Sequence, residues 1–340
     1  MAENKFERYS RQMLFPGIGE EGQEKLNNAR VLIVGVGALG TVLANHLVRA
    51  GVGFVRIVDR DYVEKSNLQR QMLFDEEDVN LALPKAVAAK QRLEKVNSAV
   101  EIEAIVTDVN VTNIEEMMES IDLVFDGTDN FSTRFLLNDS CFKKGIPFVY
   151  GGAVSARGMS ALFIPKETPC LRCFIQPGDG NGQTCDTIGV ISPVVDIVSS
   201  FQVVEGVKYL VGQKDKLRNT LKTFDLWNNY DYEMKMTKKK ETCPVCQHGE
   251  FPALEAQATD AVTTLCGRET VQIARNQHMD LTVWATRLEK AATVKKTPFL
   301  LQVQLIEGER LVIFPDGRIL VQGTEDLIRA KSLYSKYIGD

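Results

Sequence analysis

Polar and charged side chains crowd the segment from Asp61 to Gln71, and their types suit the binding of a polyphosphate. The segment contains Asp61, Ser66, Asn67 and Arg70. A nucleoside triphosphate carries about four negative charges near neutral pH, so its site needs cations and hydrogen-bond donors. Arg70 and Asn67 are suitable donors. A simple dehydrogenase has no need of such a cluster, so the segment favours a triphosphate over a dinucleotide.

Further along the chain, one cation and two carboxylates extend this charged set. Lys85 follows Pro84, which fits the first turn of a helix, and a lysine there opposes the helix dipole. An anion such as phosphate would compensate it, and a solvated lysine is the alternative. Asp126 and Asp129 follow a predicted strand, and two carboxylates beside phosphates suggest a magnesium site. Asp129 could instead cap the helix that begins at Phe131.

Four cysteines form two C-x-x-C pairs, Cys170 with Cys173 and Cys243 with Cys246. Two such pairs are typical of a tetrahedral structural zinc site, with His248 as a less favoured ligand. No pair has a thioredoxin-like context, and redox chemistry and unliganded thiols are the alternatives. Four thiolates leave no open coordination position, so we expect zinc to stabilise the fold rather than to catalyse.

A fifth cysteine, Cys185, lies in a stretch rich in glycine, asparagine and aspartate between positions 176 and 189. This composition predicts a surface loop. An exposed thiol there could act as a nucleophile or as a sulfur acceptor. No histidine stands near it in sequence to activate the thiol, so an inert role is the alternative. Cys266 is interpreted as structural.

The element that must position these groups is a βαβ unit between residues 31 and 61. An apolar strand at 31–34 leads to Gly35, Gly37 and Gly40 at G-x-G-x-x-G spacing, and a helix at 39–50 and a strand at 54–58 follow. The glycines permit a tight turn and let a phosphate approach the helix N-terminus. Asp59, at the tip of the second strand, could accept hydrogen bonds from ribose hydroxyls. This unit predicts a nucleotide site.

The remaining pattern predicts an α/β protein with a Rossmann-like, doubly wound and mostly parallel sheet. Strands are expected at 100–106, 122–125 and 147–150, an antiparallel extension at 159–164 and 222–226, and a long buried helix at 189–211. A helical arm is expected at 1–28, a nucleotide-binding domain with the zinc site at 29–250, and a small α+β domain at 251–340. In that domain we expect helices at 281–291 and 328–337 and strands at 299–305, 311–314 and 318–322.

Composition excludes several classes of protein. The chain has 340 residues, 44% hydrophobic and 25% charged, with a net charge of −5. The chain contains no block of basic residues that would indicate nucleic-acid binding. No apolar run reaches membrane-spanning length, and the first residues do not resemble a signal peptide. We therefore expect a cytoplasmic protein without a nucleic-acid or membrane partner.

The acid and base groups that the chain contains limit the reactions that it could catalyse. The chain contains three histidines, His46, His248 and His278, and no Walker lysine follows the glycine turn. The reaction should therefore need no proton abstraction. A carboxylate that attacks the α-phosphate of ATP meets this condition because it is already ionised at neutral pH. Arg70, Lys85 and magnesium at Asp129 would then position and neutralise the phosphates.

Several motifs together resemble the ubiquitin-activating-enzyme superfamily, and most closely its bacterial MoeB/ThiF group. They are RYSRQ, VGVGALG, VDRDYVEKSNLQRQ, PKAVAAK, DGTDN, the paired C-x-x-C and TCDTIGV, in the expected order over about residues 5–248. The resemblance implies a homodimer with structural zinc that adenylates the C-terminal Gly-Gly carboxylate of a ubiquitin-like sulfur carrier (MoaD or ThiS). The activated carrier would serve molybdenum cofactor or thiamine biosynthesis.

The resemblance also implies roles for individual residues. Arg11 would reach the phosphates in the partner subunit, and Cys185 matches a loop cysteine that handles sulfur in ThiF-like members, a role that is open here. The C-terminal domain carries no assigned activity. The residues implied to bind ATP and Mg²⁺ are Gly37, Asp59, Asp61, Ser66, Asn67, Arg70, Lys85, Asp129 and Asn130.

Other functions stay open at this point. An NAD-dependent oxidoreductase would need a proton-transfer residue in a second pocket and would not need Arg70, Lys85 and Asp129 together. A nucleotide-binding scaffold without turnover is a second alternative. A tRNA-base dehydratase of the same superfamily also adenylates a carboxylate, and the lack of a basic surface bias argues against it.

Overall fold

The computed structural model describes residues 6–176, 188–255, 262–265, 269–274 and 277–339. These residues form two compact units, the first mainly within residues 1–258 and the second mainly within 259–340. The boundary expected from sequence, between residues 250 and 251, remains a prediction of the domain organisation. In the described part of the chain, no helix combines the length and apolar character needed to cross a membrane.

An eight-stranded sheet organises the first unit, in the order β3-β2-β1-β4-β5-β6-β7-β8. The first five strands in this order are parallel, and β6, β7 and β8 continue antiparallel from β5. The strands are β1 Arg30–Val34, β2 Phe54–Asp59, β3 Glu101–Val106, β4 Leu123–Asp126, β5 Phe148–Val154, β6 Arg157–Phe163, β7 Thr220–Asp225 and β8 Tyr230–Lys235. This is the doubly wound sheet with an antiparallel extension that the sequence predicts.

Helices cover both faces of this sheet. They are α1 Ser10–Met13, α2 Gly19–Asn28, α3 Ala38–Ala50, α4 Glu76–Leu81, α5 Lys85–Val96, α6 Ile114–Met117, α7 Phe131–Lys144, α8 Ser192–Leu210 and α9 Pro252–Glu255. On one face, apolar residues of α7 pack on Val124, Phe148 and Phe163. On the other face, Val42 of α3 packs with Val198 of α8. The central strands of the sheet are therefore buried on both sides, as expected for parallel strands.

The second unit is a six-stranded antiparallel sheet in the order β11-β12-β13-β14-β10-β9. Its strands are β9 Val262–Leu265, β10 Thr270–Ala274, β11 Thr293–Lys296, β12 Leu301–Gln304, β13 Arg310–Ile313 and β14 Arg318–Gln322. Two helices, α10 Leu281–Leu288 and α11 Leu327–Tyr337, share an apolar core with these strands. Asp280 and Asp326 cap the two helices through their side chains, which satisfies amides that would otherwise lack partners.

Four strands were not predicted from sequence. These are β8, β9, β10 and β11. All six residues of β8 are exposed, so this strand lacks the alternation of buried and polar residues that marks a half-buried strand. β5 also runs beyond Tyr150 to Val154, because its second half pairs with β6.

Candidate nucleotide and zinc sites

The glycine turn after β1 brings three backbone segments into close contact. Gly35 has a φ of +86°, a conformation that favours glycine. A Cβ on Gly40 would lie 1.9 Å from the carbonyl oxygen of Gly35, and one on Gly127 would lie 2.3 Å from the same oxygen. The turn, α3 and the end of β4 therefore pack backbone against backbone. Gly37 is the N-cap of α3, so the unpaired first amides of that helix lie at this turn.

Asp59 at the end of β2 braces this turn. One carboxylate oxygen accepts a hydrogen bond from the amide of Val36 at 2.6 Å, and the other accepts one from the amide of Asp61 at 2.7 Å. Burial raises the pKa of Asp59, while the nearby Lys85 cation acts in the opposite direction. The carboxylate thus fixes the distance between the glycine turn and the polar segment that follows β2.

Lys85 is buried against a carboxylate at the start of α5. Its Nζ lies 3.3 Å from Oδ2 of Asp61, and its amide donates to the carbonyl oxygen of Asp61 at 2.9 Å. The side chain of Lys85 is 4% exposed, so the alternative of a solvated lysine is wrong. Desolvation of an ammonium group is costly unless it is paired, which makes this lysine a fixed cation beside the glycine turn.

The polar segment between β2 and α4 is held by its own side chains. Asn67 is buried and its Oδ1 accepts from the amide of Glu64 at 3.0 Å, as part of a capping box around a short 3₁₀ turn. The Arg70 guanidinium donates to the carbonyl oxygen of Ser66 at 2.9 Å, and the Ser66 side chain is exposed. The segment is thus a preorganised loop in which Arg70 is tied to its own backbone.

Sequence reasoning missed Gln71. Its side chain is 4% exposed, and its Nε2 lies 3.8 Å from the place a Cβ on Gly37 would take. Its Oε1 makes no hydrogen bond to any atom of the described residues, and a buried acceptor of this kind calls for a donor. The sequence feature that could have identified Gln71 as a candidate was its position at the end of the polar segment.

Asp126 has a structural role rather than the magnesium role expected for it. It is completely buried; one oxygen accepts from the amide and hydroxyl of Thr128, at 2.8 and 2.6 Å, and the other accepts from Arg134 at 3.1 Å. The Arg134 guanidinium also donates to the carbonyl oxygens of Thr128 and Gly151. Both carboxylate oxygens are therefore committed inside the protein, and sequence reasoning did not anticipate this ion pair.

Asp129 and Asn130 follow Asp126 at the same end of the sheet. Asp129 is exposed. Of the two carboxylates, Asp126 and Asp129, it is therefore the one that could bind a magnesium ion. Asn130 caps α7: its side chain accepts from the amide of Thr133 at 2.9 Å. The capping role considered for Asp129 thus belongs to its neighbour, and the magnesium role of Asp129 stays a prediction.

The two remaining predicted site residues are Arg11 and Cys185. Arg11 is an exposed residue of α1, and among the described residues it makes no ion pair. Cys185 lies outside the described residues, as does Cys266.

The four cysteines of the C-x-x-C pairs converge on one point. One sulfur atom from each of Cys170, Cys173, Cys243 and Cys246 lies within 4.8 Å of the others. Three of the four residues are buried, and four converging thiols are the donor set that structural zinc prefers. Nε2 of His248 lies 2.9 Å from the carbonyl oxygen of Glu241, which gives this histidine a different partner. The cluster fits zinc.

A buried ion pair fixes the first pair of cysteines to α7. The Arg172 guanidinium, between Cys170 and Cys173, donates two hydrogen bonds of 2.8 Å to the carboxylate of Asp139. Asn138 accepts from the amide of Leu171 at 2.9 Å. Such outer partners orient metal ligands, so the middle of α7 positions the cysteines while its N-terminus is capped by Asn130.

Comparison with known protein families identifies the family of this chain. The model of the ThiF family matches residues 9–245. The chain belongs to the ThiF family.

Individual relatives of this ThiF family protein agree with that assignment. It is 45% identical to the sulfur carrier protein ThiS adenylyltransferase of Bacillus subtilis, over 98% of this chain and 99% of the relative. It is 37% identical to the sulfur carrier protein adenylyltransferase of Thermus thermophilus, over 71% and 90%. Among solved structures, E. coli MccB with succinimide superimposes with a TM-score of 0.62 at 25% identity, covering 70% of this chain and 74% of MccB.

In this ThiF family protein, the candidate nucleotide residues come from three adjacent parallel strands. Gly37, Asp59 and Asp129 follow the ends of β1, β2 and β4, which are neighbours in the sheet. Ligands of open α/β sheets bind at this edge. Lys85 joins them through Asp61. Gly37, Asp59, Asp61, Lys85 and Asp129 therefore lie at one edge of the sheet.

Proposed function

We propose that this protein uses ATP to adenylate the C-terminal Gly-Gly carboxylate of a ubiquitin-like sulfur-carrier protein. Two relatives are named as adenylyltransferases of sulfur carriers, one of them matched along almost the whole chain. The observation that carries the proposal is the fixed cation of Lys85, held by Asp61 beside the glycine turn. This group can neutralise phosphate without first being ordered. Either a thiamine-type or a molybdenum cofactor-type carrier fits this chemistry.

The reaction needs a nucleophile, a leaving group and charge neutralisation. A carboxylate oxygen of the carrier attacks the α-phosphorus of ATP, and the bond between that phosphorus and the bridging oxygen breaks. Pyrophosphate leaves with the electron pair of that bond, and the acyl-adenylate remains. No proton has to be removed from the nucleophile, which agrees with the absence of histidine from the residues around the glycine turn described above.

The site residues divide this work. The first amides of α3, after Gly37, would receive phosphate oxygens, and Asp59 and Asn67 would hold the turn and the loop in place. Arg70, Lys85 and Asn130 would contact ATP, with Asp61 and Ser66 at the same edge. Asp129 would hold magnesium, which would neutralise phosphate charge. The free Oε1 of Gln71 suits a hydroxyl or amino donor of the nucleoside.

We also propose that the protein is a homodimer. Leu14 and Phe15, at the end of α1, are 71% and 62% exposed, which is unusual for adjacent large apolar residues. Arg11 lies one turn before them. A dimer that covers Leu14 and Phe15 would bring Arg11 to the phosphates of the partner subunit.

Zinc and Cys185 have separate proposed roles. Zinc bound by the four cysteines would stabilise the first unit, since four thiolates leave no position for substrate. Cys185 would handle sulfur after adenylation. Replacement of Cys185 by serine should then leave pyrophosphate exchange unchanged and reduce sulfur transfer to the carrier. A loss of exchange in Cys185→Ser would contradict this division.

Carrier-dependent pyrophosphate exchange tests the main proposal. The purified protein, ATP, labelled pyrophosphate and a ThiS-type carrier should give labelled ATP, and removal of the carrier's last two glycines should abolish the signal. Turnover of NAD with a small substrate and no exchange with ThiS-type or MoaD-type carriers would refute it. ATP binding without exchange would instead indicate a scaffold.

A further inference from the structure

The first residues of the chain are attached to the first unit by buried polar side chains. We refer to residues 7–13, a 3₁₀ turn followed by α1, as the N-terminal segment. Tyr9 of this segment is 5% exposed, and its hydroxyl accepts a hydrogen bond of 2.8 Å from Nδ2 of Asn97. Nδ2 of Asn97, a fully buried residue, also donates to the carbonyl oxygen of Val48 at 2.9 Å. The Tyr9 ring lies against Gly51, where a Cβ would come within 2.4 Å of it.

Gln12 forms a second attachment. Its Nε2 donates to Oε1 of Gln23 at 2.7 Å and to the carbonyl oxygen of Ala50 at 3.0 Å, which uses both hydrogens of the amide group. Nε2 of Gln23, a fully buried residue of α2, donates to the same carbonyl oxygen at 3.0 Å. Ala50 is the last residue of α3, and the last carbonyl groups of a helix have no partner within it. The end of α3 therefore fixes the orientation of Gln12.

Both attachments lie at the opposite end of α3 and α5 from the nucleotide site. α3 begins directly after Gly37 and ends at Ala50. α5 begins with Lys85 and is followed by Asn97. The two helices have 13 and 12 residues, which at about 1.5 Å per residue gives lengths of about 20 and 18 Å. Arg11 in the N-terminal segment is therefore too far from its own glycine turn to contact a phosphate there, and in the proposed homodimer it can serve only the site of the partner subunit.

Arg11 depends on its neighbours for its position. It is exposed, and α1 has four residues, a length at which a helix is not stable without packing. Arg11 lies between Tyr9 and Gln12 in sequence, so the hydrogen bonds of these two residues determine where its backbone lies.

We propose that Tyr9 and Gln12 are positioning residues, which hold Arg11 toward the phosphates bound in the partner subunit. This inference rests on the proposed function for the reaction and on the proposed homodimer. A displacement of about 1 Å in a group that contacts the reacting atoms can lower the rate about 100-fold. The rate at the site of one subunit therefore depends on hydrogen bonds made at the far end of α3 in the other subunit.

Gln12→Ala tests this role because it removes both hydrogen bonds of the side chain and leaves Arg11 in place. It should lower kcat for carrier-dependent pyrophosphate exchange by about 10- to 100-fold. Tyr9→Phe, which keeps the ring and removes the hydroxyl, should also lower kcat. The control is Ser10→Ala, which changes an exposed side chain of the same helix and should leave kcat unchanged. Unfolding temperatures and sedimentation should show that each variant is a folded dimer.

Mixed dimers show which subunit the substitution affects. Gln12→Ala chains are co-expressed with a second variant that carries a different affinity tag, and purification through both tags leaves only mixed dimers. With Lys85→Ala as the second variant, one site has its own Lys85 and an intact N-terminal segment from the other chain. About half of the wild-type kcat should then return. With Arg11→Ala as the second variant, neither site receives an intact segment, and the rate should not exceed that of Gln12→Ala alone.

The reverse pattern would overturn the inference. Recovery with Arg11→Ala but not with Lys85→Ala would show that Gln12 acts within its own subunit, and recovery with neither would show that Arg11 does. A normal kcat for Gln12→Ala, or its sedimentation as a monomer, would equally contradict a positioning role. If Gln12→Ala does not fold, Tyr9→Phe takes its place in the same mixed dimers. A wild-type protein that gives no exchange with ThiS-type or MoaD-type carriers refutes the proposed function, and the inference falls with it.

Discussion

The buried ion pair of Asp126 and Arg134 supports the candidate site from inside the protein. Asp126 is fully buried and the side chain of Arg134 is 8% exposed. Removal of one partner leaves an uncompensated charge in the interior, which costs about 3–5 kcal/mol. Asp126→Ala should therefore lower the free energy of unfolding by about that amount, as measured by denaturant titration.

A more exposed ion pair provides the control. The side chains of Arg56 and Glu103, which are 14% and 42% exposed, form an ion pair of 2.7 Å. Pairs near the surface contribute little, so Glu103→Gln should cost less than about 1 kcal/mol. Equal losses in the two variants would show that the Asp126 pair is not sealed from water.

Glu307 in the second unit should give a pH-dependent contribution to stability. Hydrogen bonds from Lys336 and Tyr337 lower the pKa of this carboxyl to about 2. A lowered pKa stabilises the folded state above the ordinary value, near 4.5, and the contribution is lost as the pH falls toward 2. The difference in unfolding temperature between the wild type and Glu307→Gln should thus shrink from about pH 5 to about pH 3. A difference that grows on acidification would show that the carboxyl is not held in this way.

At the scale of elements, zinc should link the two C-x-x-C segments. They are separated by about 70 residues, and Cys170 and Cys243 are 73 positions apart. Cys246→Ser should release the metal and lower the unfolding temperature by several degrees, because metal binding contributes folding free energy. Elemental analysis should find one zinc per wild-type chain and less in the variant.

Cys141 offers a matched control for that experiment. It is a buried cysteine outside the metal cluster, so Cys141→Ala should keep the full zinc content. Loss of zinc from Cys141→Ala, or full zinc in Cys246→Ser, would contradict the assignment of the four ligands.

The elements that sequence predicts well are those with a strong pattern. α7 begins at Phe131 as predicted, because Asn130 caps its start, and Gly145 at a φ of 73° ends it. β1 follows from its continuous apolar run, and β2 from apolar residues interrupted only by Arg56. β8 could not be found in this way, since its six residues are exposed and its place depends on pairing with β7. The local sequence pattern indicates which residues are buried, and an edge strand whose residues are all exposed shows no such pattern.

The same limit applies to the site. Lys85 and Asp129 could be singled out because their charges follow predicted strands or begin a helix. The ion pair between Arg134 and Asp126 could not be found, since it joins the end of β4 to the first turn of α7 through two side chains that no sequence pattern pairs. Sequence suggested which groups are charged, but only the packing distinguishes an exposed carboxylate such as Asp129 from a buried support such as Asp126.

For the whole molecule, the proposed dimer leads to a mixing experiment. Arg11→Ala and Lys85→Ala should each be inactive in pyrophosphate exchange. If Arg11 serves the partner's site, a mixed dimer contains one site with both substitutions and one site with neither. Random pairing makes half of the dimers mixed, so about a quarter of the wild-type rate should return. The two proteins must be unfolded and refolded together so that subunits exchange.

The opposite outcome has an equally definite meaning. If Arg11 acts within its own subunit, each site of a mixed dimer lacks one group and no activity returns. Arg49→Ala is the control and should be active alone, because among the described residues Arg49 hydrogen-bonds to Asn45 on its own helix. Sedimentation should give twice the chain mass of 37.9 kDa for every variant.

The contact among Gly35, Gly40 and Gly127 has a consequence for genetics. Gly127→Ala would press a methyl group against main-chain oxygen rather than against another side chain. A second substitution in the protein therefore cannot relieve this clash by shortening a neighbouring side chain, because the methyl group meets main-chain atoms. A suppressor screen that starts from this allele should recover restored glycine codons and little else within the gene.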